Sequence, residues 1–242
     1  MKRAVLFSTM ALIAGSLLAA DSAKDDVKTA AGKLAGNSFS WRTTVDSGPG
    51  GGGGGARFRP GPTEGKADKE GTLMLSMTRG DNTTEAVLKG GKGAIKTQDG
   101  WKSLSEAGED DGGGQPNPGR FLARMLQNFK APPAEARNLL SKTKELKKSD
   151  DTYSGDLTEE GAKEFLTPFR RPGGDGPEVS DAKGAVKFWL NNGVLSKYEY
   201  KVEGKVSFNG NERDVKRTTT VEIKDVGSTT LTIPDEAKKK LS

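Results

Sequence analysis

The chain of 242 residues contains no cysteine and no histidine. Without cysteine there are no disulfides, thiol nucleophiles or thiolate metal sites, so packing has to hold the fold. Without histidine, the Ser/His/Asp and Cys/His forms of nucleophilic catalysis and the imidazole zinc sites fall away as well. Carboxylate chemistry, Ser/Lys catalysis and oxygen-ligated metals stay open to this composition. No spacing nominates a nucleophile with its base, however, and the sequence predicts a protein that is not an enzyme and uses no cofactor or metal. Aromatic residues are scarce at 6% and apolar residues make up 32%, whereas 33 glycines and 11 prolines supply many turns. A thin core beneath a large surface follows.

Charge of one sign is not concentrated anywhere. The formal charge is +5, from 38 Lys and Arg against 33 Asp and Glu, and two of the positive charges are Lys2 and Arg3. A nucleic-acid interface calls for a one-sided basic stripe with interleaved stacking aromatics. No such stripe exists, and no nucleic-acid partner is expected. Peripheral attraction to anionic lipid head groups is the most this balance allows, and a solvated mixed-charge surface is the plainer reading.

Lys2 and Arg3 precede an apolar, Leu- and Ala-rich run over residues 4–20 that ends in small side chains, the layout of a secretory signal peptide. Cleavage falls after Ala20 or Ser22, and the mature protein is expected in the periplasm or outside the cell. A membrane anchor needs roughly 20 apolar residues; this run is shorter and is interrupted by Ser8, Gly15 and Ser16. No cysteine follows it to carry a lipid. Residues 21–242 then read as a single domain.

Val27, Ala30, Ala31 and Leu34 recur at helical spacing and predict a short amphipathic helix ending near Gly36. Phe39, Trp41, Thr43 and Val45 alternate with polar residues as a first strand. Further strands centre on Leu73, Leu75 and Met77, on Ala86 and Leu88, on Ile95, and on Trp101 with Leu104, as an antiparallel meander turning at Gly90–Gly93 and Asp99-Gly100. Three Gly-rich loops are expected near residues 47–66, 106–117 and 168–181. The glycine run at 50–55 lacks the Gly-Lys-Ser/Thr sequel of a phosphate-cradling loop. Glu109, Asp110 and Asp111 lack the alternating ligands of a calcium loop. Helical spacing returns in Phe121, Leu122, Met125, Leu126 and Phe129 after Pro118, and over residues 134–140. A strand over 152–157 leads to Thr158, which caps a helix stopping before Pro168.

Residues 184–233 carry the clearest pattern. Val194, Tyr198, Tyr200 and Val202 alternate with Lys197, Glu199, Lys201 and Glu203, as a half-buried strand requires. A three-residue turn at Asn191, Asn192 and Gly193 would set Leu190 opposite Val194, Phe188 opposite Ser196 and Val186 opposite Tyr198, with Trp189 and Leu195 on the other face. A two-residue turn would place Phe188 against Lys197, which the alternation disfavours. At Asn209-Gly210, a two-residue turn pairs Tyr200 with Thr219 and Tyr198 with Val221, and Ile223 extends the apolar face. Leu231 and Ile233 read as a last strand, followed by a closing helix from Pro234.

The segment Val-Lys-Phe-Trp-Leu-Asn-Asn-Gly-Val-Leu-Ser-Lys-Tyr-Glu-Tyr, the later Thr-Thr-Val-Glu-Ile-Lys-Asp-Val-Gly with Leu-Thr-Ile-Pro, and Tyr-Ser-Gly-Asp-Leu resemble the strands and hairpins of the bacterial lipoprotein-localisation superfamily, which includes the LolA and LolB carriers and the LppX-like lipoproteins. The resemblance implies an α+β fold, a strongly curved antiparallel β-sheet or half-barrel with helices covering its concave face. It also implies an apolar cavity for a lipid or acyl chain. Its candidate lining is Phe39, Trp41, Leu73, Leu75, Met77, Val186, Phe188, Tyr198 and Tyr200 from strands, with Phe121, Met125 and Phe129 as an adaptable lid. Each methylene leaving water would gain about 0.8 kcal/mol there. Two functions stand: an exported carrier of a lipid or lipoprotein acyl chain, or an envelope scaffold with a filled core that contacts a protein partner.

Overall fold

A computed structural model describes residues 14–48, 61–109, 118–167, 176–208 and 210–241. Helix α1 (Ala14–Ala35) precedes strand β1 (Phe39–Asp46) and a meander of β2 (Thr63–Ala67), β3 (Leu73–Arg79), β4 (Asn82–Lys89), β5 (Lys92–Thr97) and β6 (Gly100–Ser103). Three helices follow, α2 (Leu104–Gly108), α3 (Pro118–Gln127) and α4 (Pro132–Ser141). The chain then forms β7 (Lys147–Ser149), β8 (Thr152–Asp156), α5 (Glu159–Leu166), the long strands β9 (Glu178–Asn191), β10 (Val194–Phe208) and β11 (Asn211–Lys224), and α6 (Asp235–Lys240). All the strands belong to one antiparallel sheet in the order β6-β5-β4-β3-β2-β1-β11-β10-β9-β8-β7. Its two ends do not pair with each other, so the sheet is curved and unclosed, and the α+β class expected from the sequence is the one observed.

Period-two alternation explains which side is covered. On β10, Tyr198, Tyr200 and Val202 are buried, while Lys201 between them is exposed. On β9, Val186 and Phe188 are buried and Lys187 is exposed. Helices lie on that inner face: α1 against α4, β9 and β10, and α5 against β9 and β10, while α2 and α3 pack on each other and reach β5. The buried stripe of α1, Val27, Ala30, Ala31 and Leu34, meets Phe39, Phe188, Tyr198 and Val221 in one core. Polar contacts fix that helix. Tyr153 donates its hydroxyl to Asp26 at 2.9 Å, and Lys24 donates to the carbonyls of Thr143 and Lys144 at 2.8 and 2.9 Å.

A smaller cluster on the outer face, Val87, Ala94 and Trp101 with Ala237, seats α6 against the meander, and Lys240 ties it to Glu106 at 2.8 Å. Close approach dictates glycine at several places in this sheet, Gly155 among them, where a Cβ would stand 2.0 Å from the Glu145 carbonyl oxygen. At Gly65 a Cβ would stand 2.1 Å from the Trp41 ring, which lies across the neighbouring strand.

The turn at Asn192-Gly193 corrects the expected register. Both residues have positive φ, 51° and 69°, and Asn191 pairs with Val194 in a two-residue hairpin. Such a turn matches the twist of the flanking strands. The conflict that the alternation raised is removed by a bulge: Ser196 is extra, its hydroxyl donates to the Trp189 carbonyl at 3.0 Å, and Lys197 then faces Trp189. Phe188 therefore pairs with Tyr198 and Val186 with Tyr200, and Leu195 is buried in the inner core instead of sharing the face of Trp189. At the second turn Tyr200 pairs with Thr219 and Tyr198 with Val221, as expected.

Other boundaries move too. Strand β2 lies inside the first expected loop, Glu106 to Gly108 complete α2 inside the second, and β9 starts at Glu178 inside the third. Leu231 and Ile233 form no strand; the segment is irregular, and Ile233 packs against the outer cluster. The glycine run at 50–55, Asp110, Asp111 and the first 13 residues of the expected signal lie outside the described residues, while residues 14–20 belong to α1.

Candidate functional site

The inner face is assembled from rows that cross the sheet. One row runs Thr84, Met77, Thr63, Thr43, Val221, Tyr198, Phe188 and Tyr153, each opposite the next on the adjacent strand. The next runs Val45, Thr219, Tyr200, Val186 and Gly155. Of the residues expected to line a cavity, Phe39, Trp41, Leu75, Val186, Phe188, Tyr198 and Tyr200 are buried in one cluster, and Leu73, Met77, Met125 and Phe129 pack against it half-buried. Phe121 is half exposed on α3. Phe129 stacks on Trp41 with ring centroids 6.4 Å apart, and Phe39 lies 5.6 Å from Trp41 on the other side.

Burial is uneven along this face. Beneath α1, α4 and α5, Phe188, Tyr198, Leu139 and Val221 are fully enclosed. On α3 and just after it, Leu122, Met125 and Phe129 remain partly accessible while Ala123 and Leu126 are buried, and Leu73 and Met77 of β3 are likewise half-buried. Pro118 starts α3, and Leu122, Met125 and Leu126 recur on its sheet-facing stripe, but this ten-residue helix has few partners beyond α2 and β5.

Within the sealed part sits a polar group that interrupts the apolar face. Glu135 of α4 accepts hydrogen bonds from the Tyr198 hydroxyl at 2.5 Å and the Tyr200 hydroxyl at 3.2 Å. Burial pushes the Glu135 carboxyl above its ordinary range, against the two tyrosine hydrogen bonds and the pull of Lys130 and Arg217. Glu135 as a whole residue is half-buried. Burial and the neighbouring Glu135 likewise raise both tyrosines. Arg217 of β11 donates through Nη2 to the Phe165 carbonyl, and its Nε is buried with no hydrogen-bond partner. Phe165 in turn lies 5.2 Å from the Tyr200 ring.

Neither Glu135 nor Arg217 was among the expected site residues, although both are legible afterwards. Glu135 stands four residues before the buried Leu139, on the inward stripe of α4. Arg217 falls on the inward parity of Val215, Thr219, Val221 and Ile223.

No protein-family model matches the chain, and no curated protein matches it in sequence. The chain is similar in structure to a LolA superfamily protein from Nitrosomonas europaea. The two are 11% identical, with a TM-score of 0.34 over 93% of this chain and 97% of that one. A likeness of that degree decides neither family nor ligand.

Two clefts open on the described surface. One of about 630 Å³ lies on the outer side of β8 to β10 among Lys147, Ser154, Lys187, Glu199 and Lys201. The other, about 350 Å³, lies at the β9–β10 turn beside Leu195 and Ile223. Val186 is the one expected lining residue that borders either. Among the described residues no cluster of acidic side chains is placed to hold a metal, and no helix is long and apolar enough to cross a membrane.

Proposed function

We propose that the protein is a non-enzymatic carrier of a hydrophobic ligand, a lipid or lipoprotein acyl chain held between the inner face of the sheet and α3 and acting after export to the periplasm or beyond. One observation carries this reading. Half-buried apolar side chains on α3 and just after it, Leu122, Met125 and Phe129, and on β3, Leu73 and Met77, pack against the buried core of the inner face. Ala123 and Leu126 anchor α3 in the core while its Leu122 and Met125 stay half-buried; a helix with few buried anchors opens at lower cost than the long strands, and methionine at 125 and 77 adapts to irregular ligand shapes. An acyl chain sliding beneath it would complete the burial of these groups, at roughly 0.8 kcal/mol for each methylene removed from water. The absence of histidine and cysteine leaves the same face without the usual nucleophile-base pairs.

Native mass spectrometry of the mature protein, followed by extraction of any bound lipid and by titration with a fluorescent fatty acid, tests the reading. The expected result is a one-to-one adduct of acyl-lipid mass or saturable uptake of the probe, weakened at least tenfold by Met125→Asp. A bare chain that takes up no probe would sink it and favour the filled scaffold, whose function lies with a protein partner in the envelope.

A further inference from the structure

Trp189 of β9 is half-buried and points away from the core, opposite in parity to Phe188. Among the described residues no helix covers it, since α6, the helix of the outer layer, packs on β5 and β6. The Nζ atoms of Lys187 and Lys197 lie 4.9 and 5.0 Å from the centre of its ring, within reach of a cation–π contact. Lys187 comes there by parity, two residues along the strand. Lys197 comes there through the Ser196 bulge, without which it would face Phe188; a bulge re-aims the side chain that follows it. Each lysine has a glutamate directly across the sheet, Glu199 for Lys187 and Glu222 for Lys197. Neither pairs with it. Glu199 accepts from the Thr220 hydroxyl at 3.2 Å instead, and among the described residues neither lysine forms an ion pair. Two ammonium groups are thus held on an indole and away from the carboxylates opposite them.

The outward positions around them, Lys183, Lys187, Lys197 and Lys201 against Glu199 and Glu203, favour positive charge and contain no arginine. Protein interfaces combine aromatic residues with arginine and are poor in lysine. A bilayer surface suits the opposite mixture. An indole settles at head-group level, a lysine stem lies along apolar surface while its ammonium reaches the phosphates, and anionic lipid attracts each basic residue. We infer that this face docks on an anionic lipid bilayer, with Trp189 in the head-group layer and Lys187 and Lys197 on lipid phosphates. The cleft beside Lys187 has Lys147 and Lys201 on its walls, but Glu145 and Asp156 line it too, so the attraction is centred on Trp189. Docking of this kind does not depend on carriage of a ligand, and either reading can fail alone.

Sedimentation of the whole mature protein with two kinds of vesicle tests this, one of phosphatidylcholine alone and one of phosphatidylcholine mixed equally with phosphatidylglycerol. Binding to the anionic vesicles alone is expected, weakening as salt screens the charges. Tryptophan emission should shift to the blue as they bind, and that shift reports on Trp189 because Trp41 and Trp101 are buried. Lys187→Gln and Lys197→Gln should each weaken binding about fivefold. Lys92→Gln, which removes the same charge from the exposed start of β5, should leave it within about twofold. Trp189→Phe should abolish the shift, and the shift in the unaltered protein serves if that variant does not fold. Equal binding to both vesicles, or to neither, would overturn the inference. Equal losses in the Lys92 and Lys187 variants would overturn it too, by showing that net charge and not this face is at work. Tighter binding of polyglutamate than of the anionic vesicles would overturn it in favour of an acidic protein segment.

Discussion

Glu135 is a carboxyl group held where burial opposes its ionisation, and its effect on stability has a definite sign. Its pKa is raised above the ordinary 4.5, chiefly by burial. An acid of this kind binds its proton more tightly in the native state than in the unfolded chain, so ionising it costs native stability. Below pH 4.5 that cost is absent; it grows as pH rises from there to the raised native value and is constant beyond. Glu135→Gln keeps one acceptor and one donor for the two tyrosine hydroxyls and removes the titration. The variant is expected to gain on the natural protein as pH rises above 4.5, and thermal melts from pH 4 to 8 read the difference directly. A difference in melting temperature that stays flat over that range would show that the carboxyl is not held against its charge. Glutamate persisting at such a place, opposite Tyr198 and Tyr200, fits a group kept for binding better than one kept for stability.

At the scale of elements, local rules decide which boundaries could be read from the sequence. Thr158 was legible as a cap, and its hydroxyl does accept from the Gly161 N–H at 3.0 Å. Alternation likewise placed β1, β3 and the inner faces of β10 and β11. The Ser196 bulge was not legible, since one extra residue leaves no mark in composition and both turn lengths satisfied half of the pattern. Strand β2 was hidden for another reason: Thr-Glu-Gly-Lys-Ala has no large apolar residue, because Trp41 fills the space over Gly65 from the adjoining strand. The closing helix expected from Pro234 is α6; what the sequence left unread is its place on the outer face, where Ala237 packs and an ion pair from Lys240 helps to tether it. Lys240 and then the Ser103 backbone and hydroxyl hold the Glu106 carboxyl down at about 2, while Glu106 and Ser103 also form the capping box of α2. A depressed carboxyl contributes stability that is whole above pH 4.5 and disappears as pH falls toward about 2. In Glu106→Gln, amide protection factors over α6 should be lower than in the natural protein at pH 7 and should converge with them near pH 2. Equal protection at pH 7 would mean that Ala237 and Trp101 seat the helix without the charge.

Over the whole molecule, the sheet divides into halves of unequal strength. Strands β9, β10 and β11 span 14, 15 and 14 residues, and their inner residues Phe188, Tyr198, Val202 and Val221 are fully buried under α1, α4 and α5. On the other side β1 to β6 span four to eight residues, and α3 reaches β5 through a stripe in which Ala123 and Leu126 are buried and Leu122 and Met125 half-accessible. Free energies of local opening track buried apolar contact and hydrogen-bonded length. Hydrogen exchange should therefore find the slowest amides in β10 and the neighbouring part of β11, with α3 opening independently and much faster. A bound fatty acid should slow exchange in α3 and β5 while leaving β10 almost unchanged, because a tail beneath α3 adds contacts to that part of the sheet alone. Protection of α3 equal to that of β10 in the free protein would leave no mobile helix for a ligand to pass.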